Sequence, residues 1–257
     1  MAITWSLNGT DLSTHKVYLN GVAPGWRSPA TSSRARATVP GRLRGYLSRI
    51  DQINAGTRSF PFRLVTDNVT DRQTEIEWLT AYLRQSVTLK WTDATTTREI
   101  IGTVMEVQLT PYGTPNTGTL DGVLVLDCPY PVWQATADTT LGSLGNSDTA
   151  IVMGNAPCED WSLAITVAAG SDPRTITVTI KNGSGTTLYT LAWTGTLGAN
   201  TLTISALNGT VKNNTTDTTS AYTGGFPVID PKDSPTIRVV SSSGTATGVL
   251  THRKRYY

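Results

Sequence analysis

The chain has 257 residues, enough for one large domain or two ordinary ones with a substantial core, so its size demands no disulfide or metal staple. Lysine and arginine number 21 against 19 acidic residues, and a net charge of +2 sets up no whole-molecule field that would gather nucleic acid or an acidic membrane. Threonine, glycine, valine and asparagine-containing turns crowd a sequence with few alanine- or leucine-rich runs, which is the profile of an all-β protein. Cys128 and Cys158 are too few for a disulfide framework and lack zinc-site spacing; one bridge between them is open, and two buried free thiols are the favoured expectation. Met1-Ala2-Ile3-Thr4-Trp5 has no basic region leading into an apolar stretch, and no apolar run reaches membrane-spanning length. The expectation is a protein made in a cytoplasm, with no membrane insertion. The Asn-x-Ser/Thr triplets, such as those at Asn68, Asn182 and Asn208, then read as turn chemistry rather than glycosylation acceptors.

Residues 1–134 read as one β domain with a single helix. A short strand at Lys16 to Leu19 runs into the turn Asn20-Gly21. From Arg27 to Arg63 there are eight arginines and one acidic residue, Asp51, and Arg34/Arg36 and Arg42/Arg44 alternate so that each pair shares a strand face. The helix is predicted from Thr70 to about Arg84, opened by a capping box of Thr70 and Gln73, with Ile76, Leu79 and Leu83 on one face and Tyr82 at its margin. Val87 to Trp91, Arg98 to Leu109 and Gly122 to Leu126 alternate like the strands of a meander.

Residues 135–155 are small and polar and are read as a linker, leaving 156–257 as a second domain without helix signals. In it, Ile176 to Lys181 and Leu188 to Trp193 flank the turn Asn182-Gly183-Ser184-Gly185, and Leu202 to Ala206 precedes Asn208-Gly209. Further strands are expected at Ser162 to Val167, Thr236 to Ser241 and Gly248 to Tyr256, giving a sandwich or jelly-roll.

Little here can carry catalysis. His15 and His252 have no histidine or cysteine at metal-ligand spacing, and no Gly-x-Ser-x-Gly, Gly-x-x-x-x-Gly-Lys or His-Glu-x-x-His motif occurs, so no catalytic, cofactor-binding or metal residues are assigned. Glycoside hydrolysis needs only two facing carboxylates. Glu75 and Glu77 cannot face each other on a helix, and Glu159-Asp160 adjoin Trp161 in a loop that suits solvated acids. Trp161 and Trp193, with Tyr189, are candidates for a weak sugar contact, although Tyr189, Leu191 and Trp193 alternate onto one strand face that fits a sandwich core better. The arginines lack aromatic interleaving or a recognition motif. Arg34, Arg36, Arg42 and Arg44 are therefore read as a candidate subunit interface rather than a nucleic-acid site.

Four segments in order resemble the distal tail proteins of siphophages: Leu126-Asp127-Cys128-Pro129-Tyr130-Pro131-Val132-Trp133, Gly154-Asn155-Ala156-Pro157, Phe226-Pro227-Val228-Ile229-Asp230-Pro231, and the basic-aromatic end Arg253-Lys254-Arg255-Tyr256-Tyr257. Pro231-Lys232-Asp233-Ser234-Pro235 departs from the Pro-Gly-Asn turn common in that family. The resemblance implies an N-terminal β-sandwich with one helix and a C-terminal galectin-like β-sandwich. It implies a structural virion protein at the distal end of the tail, forming a ring, typically hexameric, that joins the tail tube to the tail tip or baseplate and leaves a channel through which DNA passes without specific binding. The expected partners are further copies of the chain, the tail tube protein and tail-tip proteins, with a host-surface saccharide as a candidate. The alternative is a carbohydrate-binding adhesin or receptor-binding module of the virion.

Overall fold

The computed structural model describes residues 3–19, 56–93, 96–111 and 119–257. It has the all-β-dominated class with one helix expected from the sequence, and the chain divides into two compact units that meet in sequence at Thr136/Ala137.

The first unit opens with β1 (Thr4–Leu7), β2 (Thr10–Asp11), a short 3-10 turn and β3 (Val17–Leu19). Next come β4 (Gly56–Val65), helix α1 (Val69–Thr80), β5 (Ser86–Thr92), β6 (Thr97–Pro111), β7 (Thr119–Cys128) and β8 (Trp133–Ala135). The strands pair antiparallel in the order β2-β1-β5-β6-β7-β4-β3, with β8 joined to β6. Strict alternation puts Phe60, Phe62 and Leu64 of β4, Val87, Leu89 and Trp91 of β5, and Leu120, Leu124 and Leu126 of β7 on one buried face. That face closes on itself. Trp5 and Phe60 stand four strands apart, about 19 Å in a flat sheet, yet their rings lie 5.9 and 6.0 Å from the ring of Trp133. The sandwich expected of this unit is thus one continuous sheet curling over its own apolar side. A bulge between Val104 and Glu106 helps the bend.

Helix α1 is shorter than expected, and its cap lies elsewhere. Asn68, not Thr70, is the N-cap, its Oδ1 accepting the Asp71 N–H at 2.8 Å. At the far end Arg84 takes a left-handed φ of 64° and donates its N–H to Val104 at 2.7 Å, while Gln85 accepts the Val104 N–H at 3.0 Å. These ties to β6 draw the chain out of the helix, so Leu79 is buried but Leu83 is exposed.

The second unit carries β9 (Thr139–Leu144), β10 (Thr149–Ala150), β11 (Ser162–Ala168), β12 (Arg174–Lys181), β13 (Thr187–Gly195) and β14 (Leu202–Ser205). It continues with β15 (Thr210–Asn213), β16 (Thr216–Asp217), β17 (Tyr222–Thr223), β18 (Thr236–Ser241), β19 (Thr245–His252) and β20 (Arg255–Tyr256). One sheet runs β10-β18-β12-β13-β17 and the other β16-β15-β14-β11-β19-β9. Their inner faces share one core, with Leu163, Ile165, Leu202, Ile204 and Leu250 from one side and Ile176, Val178, Leu191, Trp193 and Val239 from the other, which is a β-sandwich. The linker expected at 135–155 is corrected. Its residues form β9, paired to β19, and β10, paired to β18, and Leu144 and Ile151 are buried in the core. Both strands are sheet edges, where short, polar, glycine-containing sequence is usual and resembles a linker.

Candidate functional site

Each candidate catalytic group has a structural engagement. His15 lies in the 3-10 turn after β2, and its ring stacks on Trp78 at 3.7 Å while Nδ1 meets Glu75 Oε2 at 2.8 Å. His252 ends β19 at 2% exposure, with Nε2 3.0 Å from the Val152 carbonyl. A carbonyl only accepts, so Nε2 carries the proton, and Nδ1 is buried without a hydrogen-bond partner. Burial holds this imidazole below its ordinary pKa, and Lys254 adds to the effect. Asp160 accepts from Arg255 at 2.9 Å and from the Cys158 thiol at 3.2 Å. Glu77 accepts from Gln73 at 3.0 Å. Both cysteines are free, and burial pushes each thiol up to about 12, far from thiolate chemistry at neutral pH. No group of three or more histidine, cysteine or acidic side chains that could hold a metal occurs among the described residues.

The aromatic candidates are corrected. Trp161 is 1% and Trp193 2% exposed, within the sandwich core. Their indole N–H groups donate inward, Trp161 to the Pro227 carbonyl at 2.7 Å and Trp193 to Thr218 Oγ1 at 3.1 Å. Neither ring offers a face on which a sugar could stack. Arg34, Arg36, Arg42 and Arg44, like the Asn20-Gly21 turn, lie outside the described residues. Of the same arginine-dense stretch, Arg58 is buried and binds the Pro131 carbonyl through Nε at 2.8 Å, and Arg63 forms a two-pronged pair with Asp121 at 2.7 and 3.1 Å. In the terminal basic run, Arg255 is buried, and Arg253 pairs with Asp138 at 3.0 Å.

A shallow trough of about 370 Å3 lies on the outer side of the sheet containing β11, β14 and β15. Ser162, Thr203, Ser205, Thr210 and Lys212 line it from the strands, and Asp160, Trp161, Leu207 and Asn208 from the segments next to them. The register aligns Ser162 with Ser205 and Ser205 with Thr210, and in the next row Ala164 with Thr203 and Thr203 with Lys212. Single strands do not reveal this site. Its one trace in the sequence is an outward hydroxyl on each of three strands, which acquires meaning only once the pairing is known.

Three of the segments that carry the family resemblance meet in the second unit. Ala156 bridges to Arg255, Cys158 bridges to Ile229, and Trp161 binds the Pro227 carbonyl. Where the sequence lacks the Pro-Gly-Asn turn, a 3-10 turn over Pro231–Asp233 is capped by Asp230, and Ser234 takes the left-handed conformation at φ 48°.

No protein-family model matches the sequence, and no curated protein matches it. Among solved structures, the Dit protein (gp 19.1) of phage SPP1, described as a paradigm of the hub adsorption apparatus in phages infecting Gram-positive bacteria, is similar with a TM-score of 0.66 at 16% identity, covering 98% of this chain and 99% of that one. Chains of the phage p2 baseplate in its activated conformation, with strontium or calcium, match at 11% and 14% identity and TM-scores of 0.37 and 0.35, with 99% of this chain and 98% of those chains covered. These two superpose too loosely to bear on the argument. The fold of the siphophage distal tail protein, which the sequence resembles, is therefore the fold of this chain across both of its units.

Proposed function

We propose that the protein is a structural component of a phage tail, a distal tail protein whose first unit assembles into a ring between the tail tube and the tail tip or baseplate. The supporting observation is the fold shared with SPP1 Dit over 98% of the chain. Six copies around an axial channel for DNA, with tail tube and tail-tip proteins on its two faces, is the arrangement that the resemblance implies. A closed head-to-tail ring needs two different complementary surfaces on each subunit, and the arginine-dense stretch is proposed as part of one of them. The role is non-enzymatic in this reading, in keeping with the structural engagement of His15, His252 and Asp160. The purified protein, viewed by negative-stain electron microscopy and sized by light scattering, is expected to form rings with a central hole. Monomers at every concentration, with and without the neighbouring tail proteins, would overturn the proposal. The adhesin alternative loses its aromatic platform with the burial of Trp161 and Trp193.

A further inference from the structure

We propose that Asn208-Gly209, on the turn between β14 and β15, is a site of spontaneous covalent modification, and that among the described Asn-Gly pairs it is the one the fold leaves open to deamidation. Four such pairs occur in the chain, at Asn8, Asn20, Asn182 and Asn208, and those at Asn8, Asn182 and Asn208 lie among the described residues. Glycine has no side chain to obstruct the approach of its own nitrogen, so all of these pairs share the same intrinsic reactivity. In the reaction the Gly209 backbone nitrogen gives its proton to base from the solvent and attacks the side-chain carbonyl carbon of Asn208. The new C–N bond closes a cyclic imide, and Nδ2 takes up a proton and leaves as ammonia. Water then opens the imide at either carbonyl. One opening gives aspartate on the original main chain, and the other gives isoaspartate, whose main chain is longer by a methylene. Water is the only co-reactant, and no electron changes hands.

Ring closure asks two things of the fold. The side-chain amide must be free to swing back onto the main chain, and the glycine N–H must be available for deprotonation. Asn8 fails the first: its Oδ1 accepts the Thr88 N–H at 2.8 Å and its own N–H donates to the Thr88 carbonyl at 2.9 Å, so side chain and main chain are both tied to β5. Asn182 fails both. Its Oδ1 accepts from Ser184 Oγ at 2.7 Å and from the Thr186 N–H at 2.8 Å, while the Gly183 N–H donates to the Asp233 carbonyl at 2.8 Å. Asn208 is exposed, and its side chain has no hydrogen bond among the described residues. The Gly209 N–H reaches the Ala206 carbonyl only at 3.3 Å, past the usual N–H···O range. The Asn208 N–H lies equally far, 3.3 Å, from Ser205 Oγ and leaves the side-chain amide untouched. Conversion puts a carboxylate on a turn that lines the same trough as Asp160 and Lys212. The isoaspartate product also lengthens the turn that holds Ser205 opposite Thr210. The inference goes beyond the ring-forming role and does not rest on it, since Asn208 and its surroundings belong to the second unit.

The test holds the full chain at physiological temperature and mildly alkaline pH, takes samples over time, and follows Asn8, Asn182 and Asn208 separately by proteolytic digestion and fragment-ion mass spectrometry. A parallel sample is held in denaturant. In the folded chain Asn208 is expected to convert about tenfold or more faster than either of the others, because each of those must first break at least one well-formed hydrogen bond. In denaturant the three rates should converge, since glycine follows every one of them. Aspartate and isoaspartate should both accumulate at position 208, as opening of an imide requires. Conversion of Asn208 no faster than that of Asn8 and Asn182 in the folded chain would overturn the inference. So would the same ordering persisting in denaturant, which would assign the difference to neighbouring sequence rather than to the fold, and so would aspartate as the sole product. Circular dichroism on the folded samples confirms that the rates belong to the native chain.

Discussion

His252 couples burial to pH. Its folded-state pKa lies below the ordinary 6.5, chiefly because desolvation disfavours the imidazolium. The unfolded chain takes up this proton as pH falls through about 6.5 while the folded chain does not, so the stabilisation is complete above that pH and declines below it toward the depressed value. Thermal melts at about pH 7 and about pH 5 should therefore differ less in His252→Leu than in the parent, and an unchanged difference would show that the ring does not control the acid response. Trp161 supplies a second test at this scale. A ring 1% exposed whose indole donates to Pro227 belongs to the core, and Trp161→Ala should cost about 3–5 kcal/mol in denaturant unfolding. A binding-platform tryptophan would be removed at almost no cost. The alternation of Tyr189, Leu191 and Trp193 already indicated core; Trp161, in a loop beside two acids, carried no such pattern, and its indole finds its partner, the Pro227 carbonyl, in a segment distant in sequence.

Strands were the most legible elements, because alternation and Asn-Gly-type turns are local signals. The helix was legible in its existence but not in its ends. Asn68 belongs to an Asn-x-Thr triplet, and Thr70 with Gln73 offered a plausible capping box that begins two residues too late. The structure discriminates between them: Asn68→Ala should destabilise the first unit by about 1 kcal/mol, whereas Thr70→Ala should be nearly neutral in the same urea titration. The C-terminal end was hidden for a different reason. Arg84 and Gln85 bond to Val104 across the sheet, and a tertiary contact of that kind leaves no periodic trace in the helix sequence. The edge strands β9 and β10 were misread because edge position permits short polar sequence, and only Leu141, Leu144 and Ile151 mark the inward side.

For the whole molecule, the boundary at Thr136/Ala137 predicts that a fragment of residues 137–257 folds as a β protein and melts well above a fragment of 154–257. The shorter piece leaves the β19 edge unpaired and the core without Leu144 and Ile151. Equal melting temperatures, measured by circular dichroism, would return the boundary to the middle of the small polar segment. Assembly is expected to depend on the arginine-dense stretch, since rim charges tune association more than folding. Reversing Arg42 and Arg44 together should shift the sedimentation profile toward monomer at moderate salt without changing the melt, and an unaltered profile would remove this pair from the interface. The pairing of β9 with β19 has a consequence beyond stability. Thr139 and His252 are direct register partners, so the first and last long strands of the second unit leave it side by side. A sandwich whose two ends emerge a few ångströms apart can be spliced into a surface turn of another protein, or reopened at Gly183-Ser184 with its old ends joined, while every strand of its core keeps its neighbour. Such a body is a self-closing cassette, and lineages could exchange it as a whole while the remainder of the chain stays under separate selection.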